Sequence, residues 1–249
     1  MAQAASPSWA RQVDGCWLPA PWGGHPVLDF CNTLAGWGGP EQHDYLTTFE
    51  HVVLFSREAG LMTDAVAHNL VGRQSPAQFV GARGLRAATY AALTGAAGEH
   101  EWTVLAAVAH EAAHEARLLP ADPGARWSLP VALGVRLPLL SLATAVADFL
   151  VSPSVSQVSR CPGDGCGWLF LNTRGRRKWC SMAVCGNRSK VREHAARTRE
   201  AGVDPLRWPT LNLGDAPEEG VLMVRPSKVR PGVPGTGRGA GSSDRQDGR

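Results

Sequence analysis

The sequence has no P-loop, no dinucleotide-binding glycine fingerprint and no nucleophile motif, so nucleotide-driven and covalent catalysis find no foothold in it. Charged residues make up only 19% of the chain, and apolar residues make up 44%, which is enough to build a sizeable core. Lysine is scarce, at 3 of the 25 basic residues. With alanine and glycine abundant, that bias is what GC-rich coding produces, so the choice of arginine is not itself a sign of phosphate recognition. No long apolar run precedes Cys31, because Arg11, Asp14 and several prolines interrupt it, and no secretory signal is expected. The most apolar later stretch, Leu137–Val151, is short for a bilayer span and contains Asp148. These features lead us to expect a cytoplasmic protein without membrane association, in which thiols stay reduced.

What is present is unevenly spread. The net charge is +3, yet residues 1–159 carry −5 and residues 160–199 carry +8. Residues 200–224 return to −4 and residues 225–249 to +4. An acidic body followed by a compact basic segment suggests a polyanion-binding module joined to something else.

Periodicity assigns most of the body to helices. Residues 1–24 read as an irregular segment. "HPVLDFCNTL" (25–34) is a short apolar run carrying Asp29, Asn32 and Thr33. In "LTTFEHVVLFSREAGL", Phe49, Val52, Val53 and Leu61 recur at helical spacing and Gly60 suits a C-terminal cap. "SPAQ" at Ser75–Gln78 is a capping-box start for a helix to about Ala97. Further helices are expected over about Glu99–Ala116 and Val135–Val151, with two short strands between them around the turn "ADPG". The predicted fold class is mainly α (α+β): a helical domain with a small β-hairpin over 25–152, a polar linker over 153–159, and a treble-clef-like module over 160–202. Beyond it lie an extension of unassigned structure over 203–224 and a Gly/Pro/Arg tail over 225–249, too poor in large apolar side chains to fold.

The six cysteines divide into two sets. Cys16 and Cys31 stand apart, with no ligand-like spacing, and read as incidental or buried thiols. Cys161, Cys166, Cys180 and Cys185 form C-x4-C-x13-C-x4-C, the spacing of a structural zinc site. Four soft thiolates suit a tetrahedral ion with no open position, and nearby Arg and Lys would offset the negative charge that remains. Two disulfides or an iron–sulfur site are the alternatives. "CPGDGC" supplies a tight knuckle, "WLFLNT" and "KWCS" are expected to pair as a hairpin, and a helix should begin near Cys185.

"CGWLFLNTRGRRKWCSMAVCGNRSKVREHAAR" resembles the CGNR-type zinc finger, named for the tetrapeptide standing here as Cys185–Arg188. Upstream, "HPVLDFCNTL" and the helical region to about Val151 are similar to the ABATE domain, which usually precedes that finger. The resemblance implies one structural zinc ion held by Cys161, Cys166, Cys180 and Cys185. It also implies a stress-induced transcriptional regulator in which DNA binding is inferred. Our own expectation is a nucleic-acid partner, DNA rather than RNA, and association with the nucleoid if the protein binds DNA.

Candidate phosphate or base contacts are Arg174, Arg176, Arg177 and Lys178 on the hairpin and Asn187, Arg188, Lys190, Arg192 and Arg197 on the helix. Asn187 and Arg188 could instead fix local backbone or balance sulfur charge. Trp168, Phe170 and Trp179 are expected to pack under the knuckle rather than stack on bases. His25, Asp29 and Asn32 could line a pocket for a small-molecule or protein effector, or form a cap or buried turn network. "HEAAH" at His110–His114 matches the metalloprotease pattern. It is set aside because both His lie off the stripe formed by Trp102, Leu105, Ala109, Ala112 and Ala116, and no third ligand follows at suitable spacing. No catalytic residue is assigned and no enzyme is expected. The rival reading is a protein-interaction adaptor with a structural zinc module; the oligomeric state is open.

Overall fold

The computed structural model describes residues 9–200, and the predicted extension over 203–224 and tail over 225–249 lie outside them. The stretch expected to be irregular opens instead with an antiparallel hairpin of β1 (Ala10–Val13) and β2 (Cys16–Pro19). Its turn is Asp14-Gly15, with φ of 46° and 83°, the left-handed pair that a two-residue hairpin turn requires. Helix α1 (Pro26–Cys31) follows, capped by the His25 side chain, whose Nδ1 accepts from the N–H of Val27 at 3.2 Å. Short strands β3 (Leu34–Ala35) and β4 (His43–Asp44) pair antiparallel and lead into α2 (Phe49–Glu58). Gly60 ends that helix with φ of 71°.

Helices α3 (Asp64–His68), α4 (Pro76–Leu93) and α5 (Glu99–Glu115) come next. The hairpin of β5 (Arg117–Pro120) and β6 (Ala125–Ser128) turns at "ADPG" as expected. Its register puts Leu118 opposite Trp127 and Pro120 opposite Ala125. That makes one face apolar, and Leu118 and Trp127 on it are exposed. A 3-10 stretch breaks at Gly134 before α6 (Leu137–Leu150). The helical run Val131–Leu150 is long and apolar enough to cross a membrane, but α6 is the central core helix here. Leu140, Leu142, Ala143, Val146 and Phe149 are buried on it, and α1, α2, α4 and α5 pack around it. Trp102, expected in the α5 core stripe, is 52% exposed; Leu105 and Ala112 carry that stripe.

The segment expected to be a polar linker is structured. Residues Pro153–Gln157 form a 3-10 turn, and β7 (Val158–Arg160) pairs antiparallel with β8 (Leu169–Leu171). This corrects the predicted hairpin of "WLFLNT" with "KWCS". Asn172 turns the chain by accepting the N–H of Arg177 on Oδ1 at 2.9 Å, and the Arg177 side chain occupies the carbonyls of Trp179 and Cys180 that a second strand would use. A wide turn over Met182–Gly186 then leads into α7 (Asn187–Glu200).

Body and finger share one compact unit. Leu169 of β8 is fully buried in the same apolar cluster as the body helices, while Ala10 and Tyr45 of the body complete the cluster of Cys161, Trp168, Phe170, Cys180, Val184 and Cys185. A forty-residue finger is about half the size at which a single core suffices, so it borrows apolar surface.

Candidate metal centre and its seam with the body

The knuckle between β7 and β8 brings Cys161 and Cys166 against Cys180 and Cys185. All four Sγ atoms lie within 4.8 Å of one another. The Cys166–Cys180 and Cys180–Cys185 sulfur separations are both 3.6 Å. A tetrahedral ion with Zn–S bonds of about 2.3 Å requires sulfurs about 3.8 Å apart, whereas a disulfide requires about 2.05 Å. The donor set therefore fits one structural Zn²⁺ and excludes two disulfides in this arrangement; all six cysteines are free thiols. Cys161, Cys180 and Cys185 are buried and Cys166 is half-buried, and four thiolates complete a tetrahedral shell. Gly163 keeps the knuckle tight: a Cβ there would stand 3.1 Å from the Cys185 sulfur and 3.4 Å from that of Cys161, so the ligands would have to give by a few tenths of an ångström.

The electrostatics point the same way. Hydrogen bonds from Cys166, Cys180 and Cys185 draw the Cys161 thiol well below the usual range. The Cys180 thiol is pushed far up, first by its hydrogen bond with Cys161. Four thiols this close cannot all ionise unless a cation shares their charge.

Around the sulfurs, the basic residues divide by role. Arg177, expected among the phosphate contacts, is turned inward. Its guanidinium donates to the carbonyls of Trp179 at 3.1 Å, Trp22 at 2.5 Å and Cys180, and it lies 4.6 Å over the Phe170 ring. It is a strut between finger and body. Arg188 donates to the Cys185 sulfur at 3.6 Å, and the Asn187 amide donates to the Ala183 carbonyl at 3.1 Å. Both thus serve the local structure. Arg192 pairs with Asp164 of the knuckle at 2.8 Å. Arg174, Arg176, Lys178, Lys190 and Arg197 are exposed, as is Arg199. Among the described side chains of α7, only Ser189 and Thr198 are even half-buried, so the helix stands in solvent along its length.

His25, Asp29 and Asn32 lie together on α1 and its cap, and Asn32 reaches β8 at the seam with the finger. Asn32 is fully buried and both ends of its amide are used: Nδ2 donates to the Leu169 carbonyl at 2.9 Å and Oδ1 accepts the Leu169 N–H at 2.8 Å. The side chain thereby continues the ladder of β8 into α1. Asp29 Oδ1 accepts the Gly23 N–H at 2.7 Å, and the Gly23 carbonyl accepts the N–H of Leu171 at 2.8 Å. His25 packs its ring 4.3 Å from Phe149, and burial lowers its pKa.

Three seam residues carried no signal in the sequence. Tyr90 donates from its hydroxyl to the Gly167 carbonyl at 2.7 Å, and Trp37 stacks on Tyr90 at 3.9 Å. Gly167 has φ of 67°, and a Cβ there would lie 2.9 Å from Trp37. No local pattern marks residues whose partners lie 77 positions away.

Asp29 yields a pH prediction. Burial raises its pKa from the ordinary 3.8 to about 6, against the opposing pull of the Gly23 hydrogen bond and Arg177. A carboxyl whose folded value exceeds its unfolded one stabilises the fold at low pH, and that contribution is lost as pH rises from about 4 to about 6. Asp29→Asn keeps the acceptor and removes the charge. Relative to the wild type, it should gain about 1–3 kcal/mol at pH 7 and nothing at pH 4. Denaturant midpoints of both proteins across that range check this.

A metal-closed knuckle leading into a free basic helix, seated on a helical body, defines a structural zinc-finger protein. The chain belongs to the ABATE family, described as "Putative stress-induced transcription regulator", whose profile matches residues 24–153, more than half of the chain. Residues 157–198 match the CGNR zinc finger. A comparison with curated proteins returned no match.

Proposed function

We propose that the chain is a DNA-binding transcriptional regulator of the cytoplasm and nucleoid, in which the zinc site holds α7 as the contact element. The observation that carries this reading is the exposure of α7. A helix with five cationic side chains between residues 187 and 199, and Glu193 as its acid there, buries almost nothing of itself. A helix of this length is marginal alone in water, so fixing its first turn at Cys185 is what presents Lys190, Arg197 and Arg199 in a set geometry. Arg174, Arg176 and Lys178 add charge from the preceding turn. Electrophoretic shift of duplex DNA by the full-length protein tests this. Binding should be present with metal and lost on chelation; equal binding in both states would reject α7 as a metal-held contact.

The protein-interaction adaptor draws on a separate observation, the exposed apolar face of the β5–β6 hairpin at Leu118 and Trp127. Retention of a protein partner at high salt, with no DNA shift, would favour it.

We also read the chain as non-enzymatic. Glu111, which a peptidase would need as base, accepts from Arg136 at 2.5 Å, and His110 and His114 are exposed. Glu111→Gln should leave metal content unchanged; a loss of zinc in that variant, measured by atomic emission, would contradict this.

A further inference from the structure

Helix α6 is the apolar centre of the body, yet it carries Ser141, Thr144 and Asp148. Their spacing puts them on one face of the helix, together with Leu137 and Ala145. That face lines a cleft of about 590 Å³. Leu61, Met62 and Val66 line it from the segment that follows α2, and Trp127, Leu129 and Val131 from β6 and the chain beyond it. Trp127 is 67% exposed and Val131 62%, so two large apolar side chains of the lining are left facing water. The charged lining residues are Arg126 and Asp148, one of each sign, and neither forms an ion pair among the described residues. Ser141 is only 9% exposed, and among the described residues its hydroxyl has no hydrogen-bond partner. Thr144, one turn on, instead donates to the Leu140 carbonyl at 3.0 Å, the usual way a hydroxyl in a helix is satisfied. A serine so deeply buried beside a cleft, with its donor unspent, needs a partner that enters the cleft.

We propose that this cleft binds an uncharged, mainly apolar small molecule that carries a carbonyl or hydroxyl oxygen, with that oxygen on the Ser141 hydroxyl. The volume lies within the range of small-molecule sites, and a mostly apolar lining with a few polar groups is their usual composition. The lining has no net charge, so an ion would be desolvated against Leu61, Met62, Leu129 and Leu137 without a surplus of opposite charge to receive it. A neutral molecule covers the apolar walls at no such cost, and its oxygen meets the unspent donor of Ser141. The site lies in the helical body and stands independently of the DNA-binding reading.

The test titrates the full-length, zinc-loaded protein with two fluorescent naphthalenes: Prodan, a neutral ketone, and anilinonaphthalene sulfonate, an anion. Prodan should bind saturably at one site and more tightly than the sulfonate. Ser141→Ala should weaken Prodan about fivefold, the worth of one neutral hydrogen bond. The same change should shift the emission of the bound dye to the blue, because its carbonyl loses a donor; a merely structural serine would not do this. Trp127→Ala should weaken Prodan about tenfold through lost apolar contact. Denaturation midpoints and zinc content, measured in each variant, identify any that misfold. Absence of saturable Prodan binding, or binding that neither substitution changes, overturns the proposal. Tighter binding of the sulfonate overturns the uncharged class. Sensitivity to Trp127→Ala alone, with affinity and emission unchanged in Ser141→Ala, also overturns it and leaves the hairpin as the exposed patch on which the adaptor reading draws.

Discussion

Cys180→Ser is expected to abolish zinc binding and to destabilise the body as well as the finger. The wild-type protein should carry about one zinc per chain, since four thiolates fill a tetrahedral shell. In small domains such a site supplies about 10–16 kcal/mol of apparent binding free energy, far more than a finger of this size can replace. The effect spreads because Leu169 lies in the core of the body and β8 is tied to α1 through Asn32. When the finger opens, that core loses a fully buried leucine and the α1 seam loses its partners. Emission spectroscopy for zinc and thermal melting followed at a helical wavelength check both halves. Stoichiometric zinc in the serine variant would refute the ligand set. A body that melts unchanged would restore the independent helical domain that the sequence suggests.

Asn32→Ala is expected to be the most damaging single change outside the cysteines. Truncation leaves the N–H and C=O of Leu169 buried and unmet, and each such group costs about 1–3 kcal/mol, so a loss of about 2–6 kcal/mol follows. Asn32→Asp removes only the donor and adds a buried charge, so it should be no milder. Zinc stoichiometry in the folded protein should stay at one, which separates a seam defect from a metal defect. A change in the denaturation midpoint worth less than about 0.5 kcal/mol would show that the seam does not bind finger to body.

What the sequence made legible is what depends on neighbours along the chain. The C-x4-C-x13-C-x4-C spacing gives the four ligands because knuckle geometry is local, and the structure gathers those four sulfurs. The 3.6-residue recurrence gives α2, α4, α5 and α6 to within a few residues, and "ADPG" gives the β5–β6 turn. Asp14-Gly15 between Val13 and Cys16 was an available hairpin signal, obscured by surrounding Trp and Pro in strands of only four residues. Long-range roles were not available. Arg176 and Arg177 are adjacent and identical in type, yet the first is exposed and the second is a strut that reaches Trp22. Asn32 reads from its neighbours as either a pocket residue or part of a buried network, and only its partner, 137 positions away, shows what its amide holds. Trp102 was placed inside by a helical wheel that cannot see where the neighbouring helices stop, and it is exposed.

The central claim is that α7 meets polyanionic nucleic acid as a helix held by the metal site. Its most direct measurement is the salt dependence of DNA affinity for the zinc-loaded wild type and for a variant with Lys190→Ala, Arg197→Ala and Arg199→Ala. All three side chains are exposed; among the described residues those of Lys190 and Arg197 donate no hydrogen bond and Arg199 donates only to the Ala195 carbonyl of its own helix, so the variant should keep its fold and its zinc. Each lost phosphate contact flattens the slope of log K against log salt by about 0.9, so a decrease of roughly 2–3 units is expected, together with weaker binding at every salt concentration. An unchanged slope and affinity in a variant that retains its zinc would contradict the claim.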